Sequence, residues 1–502
     1  MFHLYAYGVS SVDRADRCGA KGADHDGAKQ NGGLQRRSEG MKNGGAGQLN
    51  RAQEALNPIT EGVIWKQLLR YFAPLLAASF LQLLYNTADT IIVGRFVGKI
   101  ALTAVGGSAG QIYAMVTEFM IGVSGGAGVI LSQAYGAEDR KVLDDGLHNA
   151  IALALVLGTA FMTVGLVVAG PALRLAGAPD ETMAQSVLYL RIVFAGIISN
   201  VLYNMGASVL RAVGDSKRPL HFLMFSSGLN IALDLLFVAV LRMGIGGAAF
   251  ATILSQTLSA FLVLRTLIKG TGRELLPRLD LRRLRLQRDM VLKMLRLGVP
   301  LGFETLMYTF SCVVLTSAVN TFGTDTVAAY AGFVRIENFY WILEASFAVS
   351  ITTFVGQNLG AGRMDRVHKV ARQGALLMYL FMGLAIVVMY TGCPYWLGLF
   401  TTDAGVIEIG VDMMRYLLPF YILYIPNGVF FSTLRGMGDS LRPTLITFFG
   451  VCVLRILWVA FVFPAFPTIR VLLFCFPVSW SVTAVTYCIY YLWYMRKREH
   501  LF

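Results

Sequence analysis

The decapeptide LRAVGDSKRP at residues 210–219 returns as LRGMGDSLRP at 434–443, 224 residues further on. SQAYGA at 132–137 pairs with GQNLGA at 356–361 at the same spacing. LLRYFAPL at 68–75 pairs with MLRLGVPL at 294–301, which sets Pro74 opposite Pro300 and Phe96 opposite Phe322 at a spacing of 226. Repetition on this scale means two copies of one unit, so the content of the unit decides the fold. Each copy holds six apolar blocks long enough to cross a hydrocarbon layer roughly 30 Å thick. They run over residues 64–93, 101–133, 146–170, 183–212, 218–241 and 246–269, then 290–321, 327–359, 370–397, 405–434, 442–465 and 470–495. Because six is even, both copies enter the bilayer in the same direction and an axis along the membrane normal relates them, with a cavity between. The expected fold is an all-α membrane protein of twelve transmembrane helices in two six-helix lobes related by a pseudo-two-fold axis along the membrane normal.

Composition agrees. A chain of 502 residues has the length of three soluble domains, but 56% hydrophobic and 15% charged residues with a mean hydropathy of +0.60 exclude that class. The net charge of +13 does not indicate nucleic acid, because the basic residues punctuate the apolar blocks and form no basic domain with interleaved aromatics. Membrane lipid, through its anionic headgroups, is their expected partner. Lys and Arg gather on one side: Arg140 and Lys141; Arg211, Lys217 and Arg218; Arg363, Arg366 and Lys369; Arg435 and Arg442; Arg496, Lys497 and Arg498. The opposite loops hold only Arg95, Lys99, Arg174, Arg242 and Arg470, so both termini are expected in the cytoplasm.

The organisation that follows has a disordered N-terminal extension over 1–57, rich in Gly and charge, in which Met41 is a candidate start of translation. A first lobe over 58–269 carries spans 1–6, and a basic cytoplasmic connector over 270–289 carries Arg273, Arg278, Arg282, Arg283, Arg285 and Arg288. A second lobe over 290–495 carries spans 7–12, and 496–502 form a cytoplasmic tail. The six cysteines, Cys18, Cys312, Cys393, Cys452, Cys475 and Cys488, form no CxxC pair and read as buried thiols.

No phosphate-cradling GxxxxGK[ST], HExxH or dinucleotide fingerprint is present, so no enzyme chemistry and no cofactor are expected, and any transport must run on ion gradients. Carboxylates at membrane depth then carry the information, because an ionised Asp near the bilayer centre costs at least ~2.5–3.5 kcal/mol on insertion scales. Asp89, in YNTADTIIVG, and Asp234, in LNIALDLLF, are the candidates. Asn230 precedes Asp234 by one helical turn on the same face, and Thr252 in GIGGAAFAT adds an oxygen on a small-residue helix. Oxygen ligands of this kind suit a small hard cation such as Na⁺, and a buried carboxyl also serves H⁺. The competing reading is structural, with both Asp side chains bonded to neighbouring amides or hydroxyls. The second half does not repeat Asp234, so the ion site is asymmetric.

In the second half, Glu304 follows Pro300, and Glu337 and Glu344 follow Arg335; Glu337 is expected to pair with Arg335. Glu304 and Glu344 are candidates to face a cationic substrate, and Tyr308, Tyr340, Phe347 and Tyr421 to offer it an aromatic surface. The two GDS segments, Gly214–Ser216 and Gly438–Ser440, read as turns and helix caps.

Taken together, the doubled RAVGDSKRP and RGMGDSLRP segments, NTADTIIVGRFVG, SQAYGA, LNIALDLLF and GIGGAAFAT resemble the multidrug and toxic compound extrusion (MATE) family, from about residue 60 to the C-terminus. The resemblance implies a V-shaped pair of lobes, alternating access, and export of drug-like small molecules, often organic cations, against Na⁺ or H⁺ by a monomer in a bacterial-type inner membrane. It places the cation site of many relatives at Asp89, Asn230, Asp234 and Thr252. Some relatives bind cations in the second lobe through a deeper glutamate of the seventh helix and an acid in the tenth. Here Glu304 lies only four residues past Pro300, and Phe420–Asn427 carries no acid. The alternative function on the same scaffold is a flippase of lipid-linked or other amphipathic substrates.

Overall fold

The computed structural model describes residues 57–272 and 275–499, with the side chains of residues 498 and 499 left aside. The expected extension over 1–57, apart from Asn57, lies outside the described residues, as do Met41, Cys18, Arg273 and the last residues of the tail.

In lipid a backbone must satisfy its own hydrogen bonds, so each apolar block becomes a helix. Eleven helices among the described residues are long and apolar enough to span. They are α1 (Ile64–Phe96), α2 (Lys99–Gly136), α3 (Arg140–Leu175), α5 (Lys217–Val240), α6 (Gly244–Lys269), α7 (Arg288–Phe322), α8 (Thr324–Gly360), α9 (Met364–Thr391), α10 (Ala404–Gly436), α11 (Leu441–Ala465) and α12 (Ile469–Lys497). The remaining crossing, α4, is the pair Asp180–Ala195 and Ile197–Ala212, bent by 47° at Gly196. No strand occurs among the described residues. Asp139 starts α3 by accepting from the amides of Lys141 and Val142, and Asp403 starts α10 on those of Gly405 and Val406.

Two apolar cores result. The first gathers buried residues of α2 to α6, among them Leu131, Leu147, Leu190, Met205 and Val263; the second gathers α8 to α10 and α12, among them Phe333, Phe354, Met378, Leu417 and Trp480. The helices that open each repeat cross over. Leu68, Tyr71 and Phe72 at the start of α1 belong to the second core, whereas Met290 and Met294 at the start of α7 belong to the first.

Glycine decides how closely the lobes approach. A Cβ on Gly122 would sit 2.5 Å from the Gly302 amide nitrogen, and one on Gly126 would sit 2.6 Å from Gly298 Cα, so α2 and α7 meet backbone to backbone. Where α2 crosses α8, a Cβ on Gly136 would collide with the Gln357 carbonyl and one on Gly360 with the Gln133 carbonyl. The same glutamines reach across with their side chains. Gln133 Nε2 donates to the Gly436 carbonyl at 2.8 Å, and Gln357 Nε2 donates to the Ala212 carbonyl at 2.7 Å. Donors and acceptors are related by the 224-residue repeat, which makes the two-fold axis visible as a pair of hydrogen bonds. Each acceptor lies two residues before its GDS turn, where Gly214 and Gly438 adopt φ of 83° and 86°. In the first turn, Asp215 Oδ1 accepts from the Arg218 amide at 3.2 Å.

The connector is fastened to the first lobe. His148 Nε2 accepts from the Asp280 amide at 3.1 Å, Asn149 Oδ1 accepts from the Gln287 amide at 2.6 Å, and Arg285 pairs with Asp145. Leu276 and Leu279 enter the first core, while Leu281 and Leu286 stay exposed among the arginines.

Gly136→Ala and Gly360→Ala each push a methyl group into a main-chain carbonyl, an overpacking that costs ~1–3 kcal/mol. Thermal unfolding of the purified protein is expected to fall for both, and to stay level or rise for Gly170→Ala and Gly383→Ala, whose added methyl groups meet nothing within 4 Å. Unchanged melting of the first pair would show that the crossing is not load-limited by these backbones.

Candidate functional site

Asp89 and Asp234 approach each other inside the first lobe. Asp89 lies three-quarters of the way along α1, one turn after Tyr85, and Asp234 is fully buried on α5. The two carboxyls stand within hydrogen-bonding reach of each other. Asp89 Oδ1 and both oxygens of Asp234 find no protein donor, and neither polar atom of the Asn230 side chain has a partner. Buried acceptors in that condition cost several kcal/mol in an apolar medium unless a proton or a cation joins them. Asn230 and Thr252 line one polar crevice, with Ser227, Ser255 and Gln256. Thr252 donates its hydroxyl proton to the Ala248 carbonyl at 3.0 Å, which leaves its oxygen lone pairs available.

Local backbone geometry helps to place Asp234. α5 runs as α-helix through Asp234 and then winds as a π-helix over Leu235–Val240. Such a turn carries an extra residue and redirects the side chains around it, and it recurs at functional sites.

Several residues of this interior were not singled out from the sequence. Tyr85 and Tyr189 lie within electrostatic range of both carboxyls, and Tyr113 and Tyr203 within that of Tyr85. Tyr113 donates to Gln256 Oε1 at 3.2 Å. Helical spacing offered a signal for two of them: Tyr85 is four residues before Asp89, and Gln256 four after Thr252. Tyr113 and Tyr189 come from other helices, where spacing says nothing.

In the second lobe Glu304 and Glu344 lie within electrostatic range of Arg435, without an ion pair to it among the described residues. Arg435 lies against Gly125 of α2, so this cluster touches the seam between lobes. Glu304 is among the residues lining an apolar pocket of about 280 Å³ between α7 and α11, with Val299, Phe303, Met307, Leu445 and Phe448. Tyr308 is half-buried. Tyr340, Phe347 and Tyr421 are fully buried: Phe347 stacks on Phe72 at 3.9 Å, and Tyr340 donates to the Tyr421 carbonyl at 2.8 Å. These three therefore present no surface to a ligand in this conformation. The expected pairing of Glu337 with Arg335 is not present. Residues two apart point to opposite sides of a helix, so Arg335 is exposed while Glu337 turns inward and accepts from Trp341 Nε1 at 2.7 Å.

Two bundles of six helices, each built on one repeat and joined along small-residue seams, define a polytopic membrane transporter. The family model MatE matches residues 74–236 and 300–461, once in each repeat, and the chain belongs to the MATE family. It is 28% identical over 443 residues to a protein of Bacillus subtilis named probable multidrug resistance protein YoeA, covering 87% of this chain and 95% of the relative. It is 27% identical over 406 residues to the probable multidrug resistance protein NorM of Thermotoga maritima, covering 80% and 85%. Among solved structures, the outward-facing conformation of a multidrug resistance MATE family transporter of the MOP superfamily superposes with a TM-score of 0.81 at 23% identity, over 88% of this chain and 98% of that one. A MOP superfamily transporter from Pyrococcus furiosus, described as having a binding pocket of reverse polarity, superposes at 0.78 with 24% identity, over 88% and 97%. These likenesses show the fold.

Asn230→Leu removes a buried amide with no protein partner, so in cation-free buffer the melting temperature is expected to hold or rise. A lost buried hydrogen bond instead lowers stability by ~1–3 kcal/mol. In the same variant, stabilisation by added Na⁺ or by acidification is expected to shrink. A thermal-shift titration of wild type and variant reads both, and an undiminished response to the ion would remove Asn230 from the site.

Proposed function

We propose that this chain is a secondary active antiporter that exports drug-like, cationic small molecules in exchange for Na⁺ or H⁺. The observation that carries the proposal is the apposition of Asp89 and Asp234 without protein donors. Two ionised carboxyls in contact repel, so the pair holds one proton or one cation between them, with Asn230 and Thr252 able to add oxygens. Loading that ion removes the repulsion and draws α1 and α5 together; losing it lets them part. Entry of one charge down a membrane potential supplies about 2.3 kcal/mol per 100 mV, and this is the work available for export.

Glu304 and Glu344 are the substrate side of the proposal, with the apolar wall of the Glu304 pocket taking the hydrophobic part of an organic cation. Support comes from the names of the relatives, which describe multidrug resistance. The glutamine hydrogen bonds and the glycine crossings close the lobes at the end bearing the GDS turns. Alternating access then consists of parting that end while the other closes. With both lobes in one chain, a monomer suffices. The basic residues beside the GDS turns support a cytoplasmic position for that end and for both termini, in a bacterial-type inner membrane.

The test is efflux of cationic dyes from proteoliposomes with Na⁺ and pH gradients imposed separately. Asp89→Asn and Asp234→Asn are each expected to drop coupled efflux to the level of protein-free vesicles while insertion is retained. Glu304→Gln or Glu344→Gln is expected to raise the half-saturating dye concentration roughly tenfold, the worth of one charge-assisted hydrogen bond. Wild-type efflux by both Asp variants would defeat the assignment.

A further inference from the structure

Arg455 of α11 is 1% exposed inside the second lobe, and its guanidinium is only partly used. Nε donates to Ser479 Oγ at 3.1 Å, and that hydroxyl in turn donates to the Phe476 carbonyl at 2.9 Å. Nη1 and Nη2 make no hydrogen bond of good geometry, and the neutral Tyr308 hydroxyl lies within reach of the guanidinium. Aromatic faces surround the group, with Phe476 at 4.3 Å, Tyr308 at 5.4 Å and Trp480 at 5.9 Å from the guanidinium carbon. Those faces offset part of the desolvation of the cation but accept no N–H in line. Trp480, also fully buried, carries a second unused donor in its Nε1–H. The acid in this region, Glu337, lies within electrostatic range of Arg455 but forms no ion pair with it, and its carboxyl is engaged by Trp341 with Tyr421 within reach.

The surplus is therefore of donors and of positive charge, the reverse of the site around Asp89 and Asp234. The backbone setting is related but displaced by three residues. α11 winds as a π-helix over Phe448–Val453 and again over Trp458–Val462, so Arg455 stands on a short α-helical stretch between two wide turns, and Trp458 is 224 residues beyond Asp234. A buried guanidinium with two free N–H₂ groups is stabilised by a negative charge placed against it. Burial of Arg455, Ser479 and Trp480 excludes anything large or hydrated, which points to a single monovalent atom.

We propose that the second lobe holds a halide site, filled by chloride, in which the Arg455 Nη groups and the Trp480 indole N–H are the donors. The proposal stands apart from the antiport reading, since it concerns binding in the other lobe and is read without transport.

The full-length protein, purified in detergent, is titrated with NaCl, NaBr or sodium gluconate at constant Na⁺ and ionic strength, while melting and tryptophan fluorescence are followed. A saturable rise in melting temperature with chloride and bromide but not gluconate is expected, with saturable quenching by bromide. Arg455→Met is expected to weaken halide affinity at least tenfold, and Asp234→Asn to leave it unchanged. Melting of the wild type that does not distinguish chloride from gluconate would overturn the proposal, as would a full halide response in Arg455→Met. Should Arg455→Met not fold, Trp480→Phe decides: it keeps an aromatic side chain and loses the donor, so an unaltered chloride affinity overturns the site.

Discussion

Helices cross with their backbones in contact only where no side chain stands at the crossing, and α2 meets that condition at three levels. Gly122 and Gly126 admit α7, and Gly136 admits α8. From this follow the short reach between lobes, the ability of Gln133 and Gln357 to span it with one amide each, and the placing of Arg435 against Gly125. The pseudo-equivalent contact of α1 with α8 is filled differently, by stacked Phe72 and Phe347 with Phe381 beside them. One seam is a backbone contact and the other an aromatic one, so the two halves have the same topology but not the same fit.

Divergence in charge is sharper still. Both repeats keep π-helical turns in their fifth helix, but one sets Asp234 beside that turn and the other sets Arg455 there. Backbone geometry in membrane helices is held by hydrogen bonds that the chain must satisfy internally, whereas the charge at a buried position is limited only by what can be brought to balance it. Duplication thus supplied two similar sockets, one short of positive charge and one short of negative.

Much of this arrangement was readable in the residues. Block lengths and the repeat spacing indicated twelve crossings in two lobes. The cost of a carboxylate in lipid drew attention to Asp89 and Asp234, and the four-residue step linked Asn230 to Asp234. What spacing cannot report is which helix faces which. Tyr113 and Tyr189 reach the first-lobe site from helices whose neighbours are set by tertiary packing. Tyr340, Phe347 and Tyr421 looked like a surface for flat cations, but they lie on the inward side of their helices and fill the second core. The pairing of Arg335 with Glu337 was the exception, since the rotation of about 200° between residues two apart already argued against it.

The glutamine bonds between lobes end on main-chain oxygens, of Gly436 in one case and Ala212 in the other. A fastening of that sort requires a matching partner only on the donor's side, because every residue type brings the same carbonyl. Substitutions elsewhere in either copy leave the fastening intact, so the halves of an ancestral duplicate had licence to drift toward unlike interiors while still closing on each other in register.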